Sequence, residues 1–389
     1  MTMAISPSPQ FVFKLSKYCN LRCGYCYEFP HLGDKRRMSL DQLRTAFENI
    51  KSSIDRLNIE RADFIWHGGE PLLIPLDYYK QLDLLQKEVF GAGFRFKNAV
   101  QTNLTVLTDR HIAFLEGGFF DNIGVSFDVH GEQRLDSQGK SHSATVRGNM
   151  KRLMDRHINF SAIAVLARGT LQDIRQTYRF FDRLGVRHRV LAYYRSVGSE
   201  QAEQQGLGFD ELVAAYGALF EEWLASDRAT PVDPIRDHVR YAIQYITGFR
   251  HDRYERSQRE RVFIVDVNGD VFNTMESYEQ EFRYGNLFEQ PLHEIAESAE
   301  RAHSVALSNE RTERFCQGCD YFGSCPGNFV ANATGVERKI LETNGCAVRA
   351  SLDHILDVFG RAGLKDYILE NHRTNDATQA EEDPALSVA

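Results

Sequence analysis

Phe11-Val-Phe-Lys-Leu15 reads as a short apolar strand, and Cys19-Asn-Leu-Arg-Cys23-Gly-Tyr-Cys26 follows it at once. A strand that ends in a loop carrying three thiols decides how the rest of the chain is read. Cys-x3-Cys-x2-Cys offers three ligands to an iron–sulfur cube and leaves the fourth iron without a protein thiolate. Electron-transfer clusters, by contrast, are ordinarily tied by four cysteines. The spacing alone also permits a partial zinc site, although zinc generally takes four closed ligands.

Outward from that loop, short β-branched or aromatic runs alternate with amphipathic stretches. Strands are predicted at Phe11–Leu15, Asp63–Trp66, Phe96–Gln101, Asn122–Phe127, Asn159–Val165 and Arg187–Tyr193, with helices near 39–56, 76–91, 107–118, 143–155 and 171–184. Leu40, Leu43, Phe47 and Ile50 recur at helical spacing behind Ser39, a suitable N-cap. The alternation predicts right-handed parallel β/α units, an α/β fold with a partial (β/α)6 TIM-like barrel spanning 8–205. In such a barrel the chemistry sits on the loops after the strands. Residues 206–258 read as an all-helical bridge. Residues 259–372 read as a loop-rich C-terminal domain whose hairpin, Val262 to Phe272, turns at Asn268-Gly269, and 373–389 as a disordered acidic tail.

Length and composition narrow the class. A chain of 389 residues, 42% hydrophobic and 26% charged, is a soluble globular protein of more than one core. A net charge of −8 argues against a nucleic-acid or anionic-membrane binder. No apolar run approaches the ~18–20 residues of a membrane span, and Met1 to Gln10 has no signal-peptide pattern, so a cytoplasmic location is expected. All seven cysteines fall in two groups, 19, 23 and 26, then 316, 319, 325 and 346, which favours metal ligation over disulfides.

Further polar groups end the predicted strands on the face that carries the cysteine loop: Gly68-Gly69-Glu70 after the second, Gln101-Thr102-Asn103 after the third, Ser126 and Asp128 at the fourth, and Arg134 a few residues on. Two glycines let backbone approach a ligand, a carboxylate can receive an ammonium group, and a guanidinium fits a carboxylate. Each residue alone is as readily a turn or cap; together they suit a zwitterionic nucleoside. With Tyr25 inside the cysteine loop and Val125-Ser-Phe-Asp128, this set resembles the radical S-adenosylmethionine (SAM) enzymes over roughly residues 11–200. The resemblance implies a 4Fe–4S cluster on Cys19, Cys23 and Cys26, with SAM chelating its open iron and, on reduction, yielding a 5′-deoxyadenosyl radical. It also implies cofactor contacts from Tyr25, Gly68, Gly69, Glu70, Gln101, Asn103, Ser126, Asp128 and Arg134.

Cys316-x2-Cys319-x5-Cys325 with Cys346 fits either a four-cysteine zinc site or, by resemblance, the SPASM extension of peptide-modifying members, which usually carries two auxiliary clusters. Here the upstream half has no cysteine: Thr274 stands at one expected ligand position and Phe329 at another. One auxiliary 4Fe–4S cluster, closed by four cysteines, is therefore expected. No thiol then remains to return a hydrogen atom to a substrate radical, so a net oxidation is favoured over epimerisation. The stretch Phe127 to Gly139 resembles maturases that crosslink ribosomally made peptides in a cyclophane-like carbon–carbon bond. A sulfatase-maturase-like oxidation of Ser or Cys to formylglycine is the alternative. Its base normally follows an upstream cluster cysteine, where this chain has Met275. A small-molecule dehydrogenase and a zinc-stabilised binding protein complete the alternatives. Asp266, Asp270 and Glu276 are base candidates by position, and Tyr193, Tyr194 and Arg195 could line a substrate channel. Expected partners are a precursor peptide and a donor such as flavodoxin or ferredoxin. The short segment before Phe11 leaves leader recognition to the barrel, the extension or a partner.

Overall fold

The computed structural model describes residues 4–129, 133–193, 204–250, 253–273, 282–333 and 335–371. Six parallel strands run β1 (Gln10–Ser16), β2 (Arg61–Gly68), β3 (Arg95–Thr102), β4 (Asn122–Ser126), β5 (Ser161–Leu166) and β6 (His188–Ala192). Each hydrogen-bonds to the next in sequence order, as a barrel built from successive β/α units must. Between them lie α1 (Leu40–Lys51), α2 (Leu76–Phe90), α3 (Asp109–Glu116), α4 (Ser143–Asp155) and α5 (Ile174–Leu184). The expected Ser39 cap is present as a full capping box with Gln42, which stabilises such a helix start by about 1 kcal/mol.

Alternation along the strands separates two layers. Phe11, Phe13, Phe64 and Trp66 point to the helices and pack with Phe47 and Phe90 as a fully or nearly fully buried aromatic block. Burial of that kind contributes about 1.5–3 kcal/mol per side chain. The opposite positions face the barrel interior and are partly polar. Lys14 is one of them, fully buried with its Nζ 2.7 Å from Glu28. Burial lowers its pKa, and Glu28 opposes that shift.

Two expectations about the second half need correction. The stretch 208–248 is not all helical: helices Phe209–Leu224 and Ile235–Thr247 are separated by β7 (Val232–Asp233), which pairs parallel with β6. Nor does the hairpin stand apart in its own domain. Its first strand, β8 (Val262–Val265), pairs parallel with β1, while β9 (Asp270–Phe272) and β10 (Arg283–Asn286) follow antiparallel. One ten-stranded sheet results, ordered β10-β9-β8-β1-β2-β3-β4-β5-β6-β7. The cause is chemical: β1 still has an unpaired edge when only the six barrel strands are laid down. Beyond the sheet, the cysteine region is less loop-rich than expected, because Ala299–Cys316, Asn328–Asn332 and Gly335–Asn344 are helical. Among the described residues no helix is long and apolar enough to cross a membrane.

Candidate functional site

The three-cysteine loop is clamped by backbone from two sides. Cys19 N–H donates to Leu32 O (3.2 Å), Arg22 N–H to Leu135 O (2.6 Å) and Gly24 N–H to Gln133 O (3.0 Å). Arg22 Nη1 closes the loop on itself through the carbonyls of Cys19 and Leu21. Asn103, at the end of β3, ties in the first thiol: its Nδ2 donates to Asn20 Oδ1 (3.0 Å) and lies 3.7 Å from Cys19 Sγ. All three cysteines line one cavity of roughly 580 Å³. Burial pushes the thiols of Cys19 and Cys26 up to about 12 and raises that of Cys23, so their thiolates need a cationic centre to neutralise them.

Most of the polar residues singled out by sequence line the same cavity: Tyr25, Gly68, Gly69, Gln101, Asn103, Ser126 and Arg134. Gln101 Nε2 donates to Ser126 Oγ at 2.7 Å, joining two adjacent strand ends. Glu70 and Asp128, also expected as cofactor contacts, stand just behind the residues that line it. The Glu70 carboxylate accepts from Leu72 N (2.8 Å), Thr102 Oγ1 (2.6 Å) and Asn103 N (2.6 Å). It braces the loops after β2 and β3, and burial lifts its pKa to about 6. Asp128 accepts from the Tyr25 hydroxyl, from Arg134 Nε (3.0 Å) and from Val165 N (2.9 Å). Burial disfavours the Arg134 charge, but Asp128 overcomes this and its pKa ends above the ordinary value. Asp128 thus positions two cavity residues from behind.

The two glycines also have a nearer reason than a ligand. A Cβ on Gly68 would fall 2.1 Å from Ser16 O, and one on Gly69 would fall 2.1 Å from Tyr18 O. Gly69 N–H and Glu70 N–H bond to those same carbonyls at 2.8 and 2.9 Å. The Gly-Gly step lets β2's exit pack against the chain that leads into the cysteine loop.

Neither described base candidate reaches the cavity wall. Asp270 is spent in the hairpin turn on Arg283 Nε (2.7 Å), Asn286 and Asn268. Asp266 is buried behind Lys17 Nζ at 2.9 Å. Glu276, Thr274, Met275, Tyr194, Arg195 and the acidic tail lie outside the described residues. Tyr193 does line the cavity, its ring 6.3 Å from that of Tyr25.

Several cavity residues escaped the sequence reading. His67 and Arg189 come from inward positions of β2 and β6; Tyr216, His238 and Tyr241 come from the bridge helices; Asn328 and Asn332 come from beside the back cysteines. Only Arg189 left a signal, as a charged residue at an inward register of an alternating strand. The helical residues are brought in by tertiary packing.

Cys316, Cys319, Cys325 and Cys346 together line a second cavity of roughly 520 Å³, and Phe329 and Val348 belong to the walls of both. Burial pushes Cys316 and Cys325 up to about 12. Among the described residues no three His, Cys, Asp or Glu side chains converge as tightly as one metal ion requires.

Comparison with known proteins agrees with this geometry. Residues 13–181 match the family described as the Radical SAM superfamily. They form a radical SAM domain. The chain is 25% identical over 342 residues to a serine-type anaerobic sulfatase-maturating enzyme of Bacteroides thetaiotaomicron, covering 81% of this chain and 80% of that one. It is 22% identical over 344 residues to a cysteine-type anaerobic sulfatase-maturating enzyme of Clostridium perfringens, covering 85% and 90%. Its fold is similar to that of native anSMEcpe with bound AdoMet and Cp18Cys peptide, at a TM-score of 0.71 and 18% identity, over 94% of this chain and 99% of that one. The chain thus carries a Radical SAM superfamily match over residues 13–181 and is related to the anaerobic sulfatase maturases, and radical SAM domains use a 4Fe–4S cluster with SAM. Cys19, Cys23 and Cys26, a triad on one wall beside Gln101, Asn103, Ser126 and Arg134, fit that pair of cofactors.

Proposed function

We propose that this radical SAM enzyme oxidises a side chain of a ribosomally made peptide and closes it into an intramolecular carbon–carbon crosslink. The observation that carries the reading is the single cavity that runs from the three cysteines to an aromatic and amide wall of Tyr216, Tyr241, Asn328 and Phe329. Its roughly 580 Å³ suits a cofactor plus a short peptide segment. When bound, the cluster and SAM supply a carbon-centred radical that removes one hydrogen atom from the substrate. The protein's own residues do the rest. The clamped loop fixes the three thiolates, Gln101, Ser126 and Arg134 orient the cofactor's polar groups, and the apolar wall excludes water and stray hydrogen donors. Net oxidation also requires loss of a proton and a second electron. The four back cysteines, one wall away through Phe329, are the proposed seat of the cluster that accepts that electron. A flavodoxin or ferredoxin is the proposed external donor.

Formation of formylglycine is the second reading, favoured by the relatedness to sulfatase maturases over four-fifths of the chain. Anaerobically reconstituted enzyme, assayed by mass spectrometry on candidate peptides, distinguishes the two. Both readings expect loss of two hydrogens from a serine- or aromatic-bearing peptide. A hydrazide-reactive product supports formylglycine, and an unreactive, protease-resistant link supports the crosslink. About eight irons per chain are expected, falling to about four when Cys319 is replaced by Ala. Colourless protein holding zinc would refute both readings.

A further inference from the structure

Among the described residues, Arg189 is the one cationic side chain lining the cavity that neither reading uses. Register places it in a row of inward residues, Ser126 to Ile163 to Arg189 to Asp233, across β4, β5, β6 and β7. It lines the cavity and remains exposed. A carboxylate does lie on the neighbouring strand, but Asp233 is already held by Arg187 at 3.1 Å and Arg236 at 3.0 Å. Asp237, the next carboxylate along the wall, is held by Arg240 at 3.1 Å. Among the described residues the Arg189 guanidinium makes no hydrogen bond and no ion pair. The helices and the C-terminal region add Tyr216, Tyr241, Phe329 and His238 to the wall, together with one carboxylate, Glu337; the His238 imidazole is kept uncharged near neutrality because burial lowers its pKa to about 4.

An unpaired guanidinium lining a cavity attracts a planar anion, and its forked donors match a carboxylate in two bonds. The sulfur loop has its own cation beside it, Arg134, which adjoins Cys23. We propose that Arg189 anchors a carboxylate of the substrate, setting which residue of a peptide is presented to the cysteine-loop end. The proposal rests on the peptide reading for the kind of substrate but not for the charge. A Glu or Asp side chain and a C-terminal carboxylate share the chemistry.

The test uses the full-length enzyme, anaerobically reconstituted and saturated with SAM. Probes are fluorescent hexapeptides carrying Glu or Gln beside a central Ser or Tyr, each with a free or amidated C-terminus, and glutarate as a competitor. Wild type should bind the acidic peptides roughly tenfold to a hundredfold better than the neutral ones, the size of a charge-assisted pair. Arg189→Gln should abolish that preference, Arg189→Lys should keep part of it, and SAM affinity should be unchanged in both. Whichever carboxylate is preferred, side chain or C-terminus, identifies the anchor. A preference that survives Arg189→Gln, or peptide binding indifferent to charge, overturns the proposal and leaves the peptide reading standing. Glutarate binding that depends on Arg189 while no peptide binds sinks the peptide reading and keeps the anchor. Loss of SAM binding in Arg189→Gln assigns the guanidinium to the cofactor and overturns the proposal, as does failure of every carboxylate probe to bind.

Discussion

Replacing Asp128 by Asn tests whether the cavity is organised from behind. The carboxylate is 3% exposed and its partner Arg134 14% exposed, at 3.0 Å. Tyr25 and Val165 donate to the same carboxylate. Stranding one member of a fully buried ion pair costs about 3–5 kcal/mol. The substituted amide preserves shape and one acceptor oxygen, and Arg134 keeps some access to water, so about 2–3 kcal/mol is expected. Arg134→Gln should cost a similar amount, because it leaves the carboxylate stranded instead. The double variant should cost much less than the sum, with a coupling of at least about 1.5 kcal/mol. Equilibrium urea unfolding followed by tryptophan fluorescence measures all three, since Trp66 is buried in the same sheet. SAM affinity should fall in both single variants, because each frees Arg134 or removes it. Additive single and double effects, or an Asp128→Asn variant with wild-type stability and SAM affinity, would refute the positioning role.

Two further outcomes follow from the packing. Gly69→Ala forces a Cβ to 2.1 Å from Tyr18 O, and backbone cannot yield as a flexible side chain does, so a loss of at least about 2 kcal/mol is expected. Because Tyr18 leads into Cys19, reconstituted iron should drop by about four per chain while the back-cysteine cluster remains; full iron content would contradict the close-packing account. His188 is buried with both ring nitrogens unbonded and stacks on Phe181 at 4.7 Å, and burial lowers its pKa to about 4. The folded protein therefore resists protonating it while the unfolded chain does so below about pH 6.5. Stability from the neutral ring is present above that pH and is lost as pH falls towards 4, reaching about 2 kcal/mol at pH 5. His188→Phe should remove this acid sensitivity, read as a smaller change in urea midpoint between pH 8 and pH 5 than in wild type. An identical change in both proteins would show that His188 is not the titrating group.

Sequence alone singled out the cysteine-loop end of the cavity. The Cys19, Cys23 and Cys26 spacing and the β/α alternation are local patterns, and local patterns are what periodicity and loop chemistry record. The strand-end residues Gln101, Asn103, Ser126 and Arg134 were legible for the same reason, since a strand's end fixes which side of a barrel its next residues occupy. Tertiary structure decided what those residues do. Glu70 and Asp128 each accept three hydrogen bonds from neighbours, which no sequence pattern records. The far wall, from Tyr216 to Phe329, joins segments over a hundred residues apart, and no pattern in either segment encodes the meeting. Arg189 stands between these cases. Its inward position could be read from the strand, but its lack of a partner depends on Arg187 and Arg236 having already taken Asp233. Charge balance in a cavity is a property of all its walls at once.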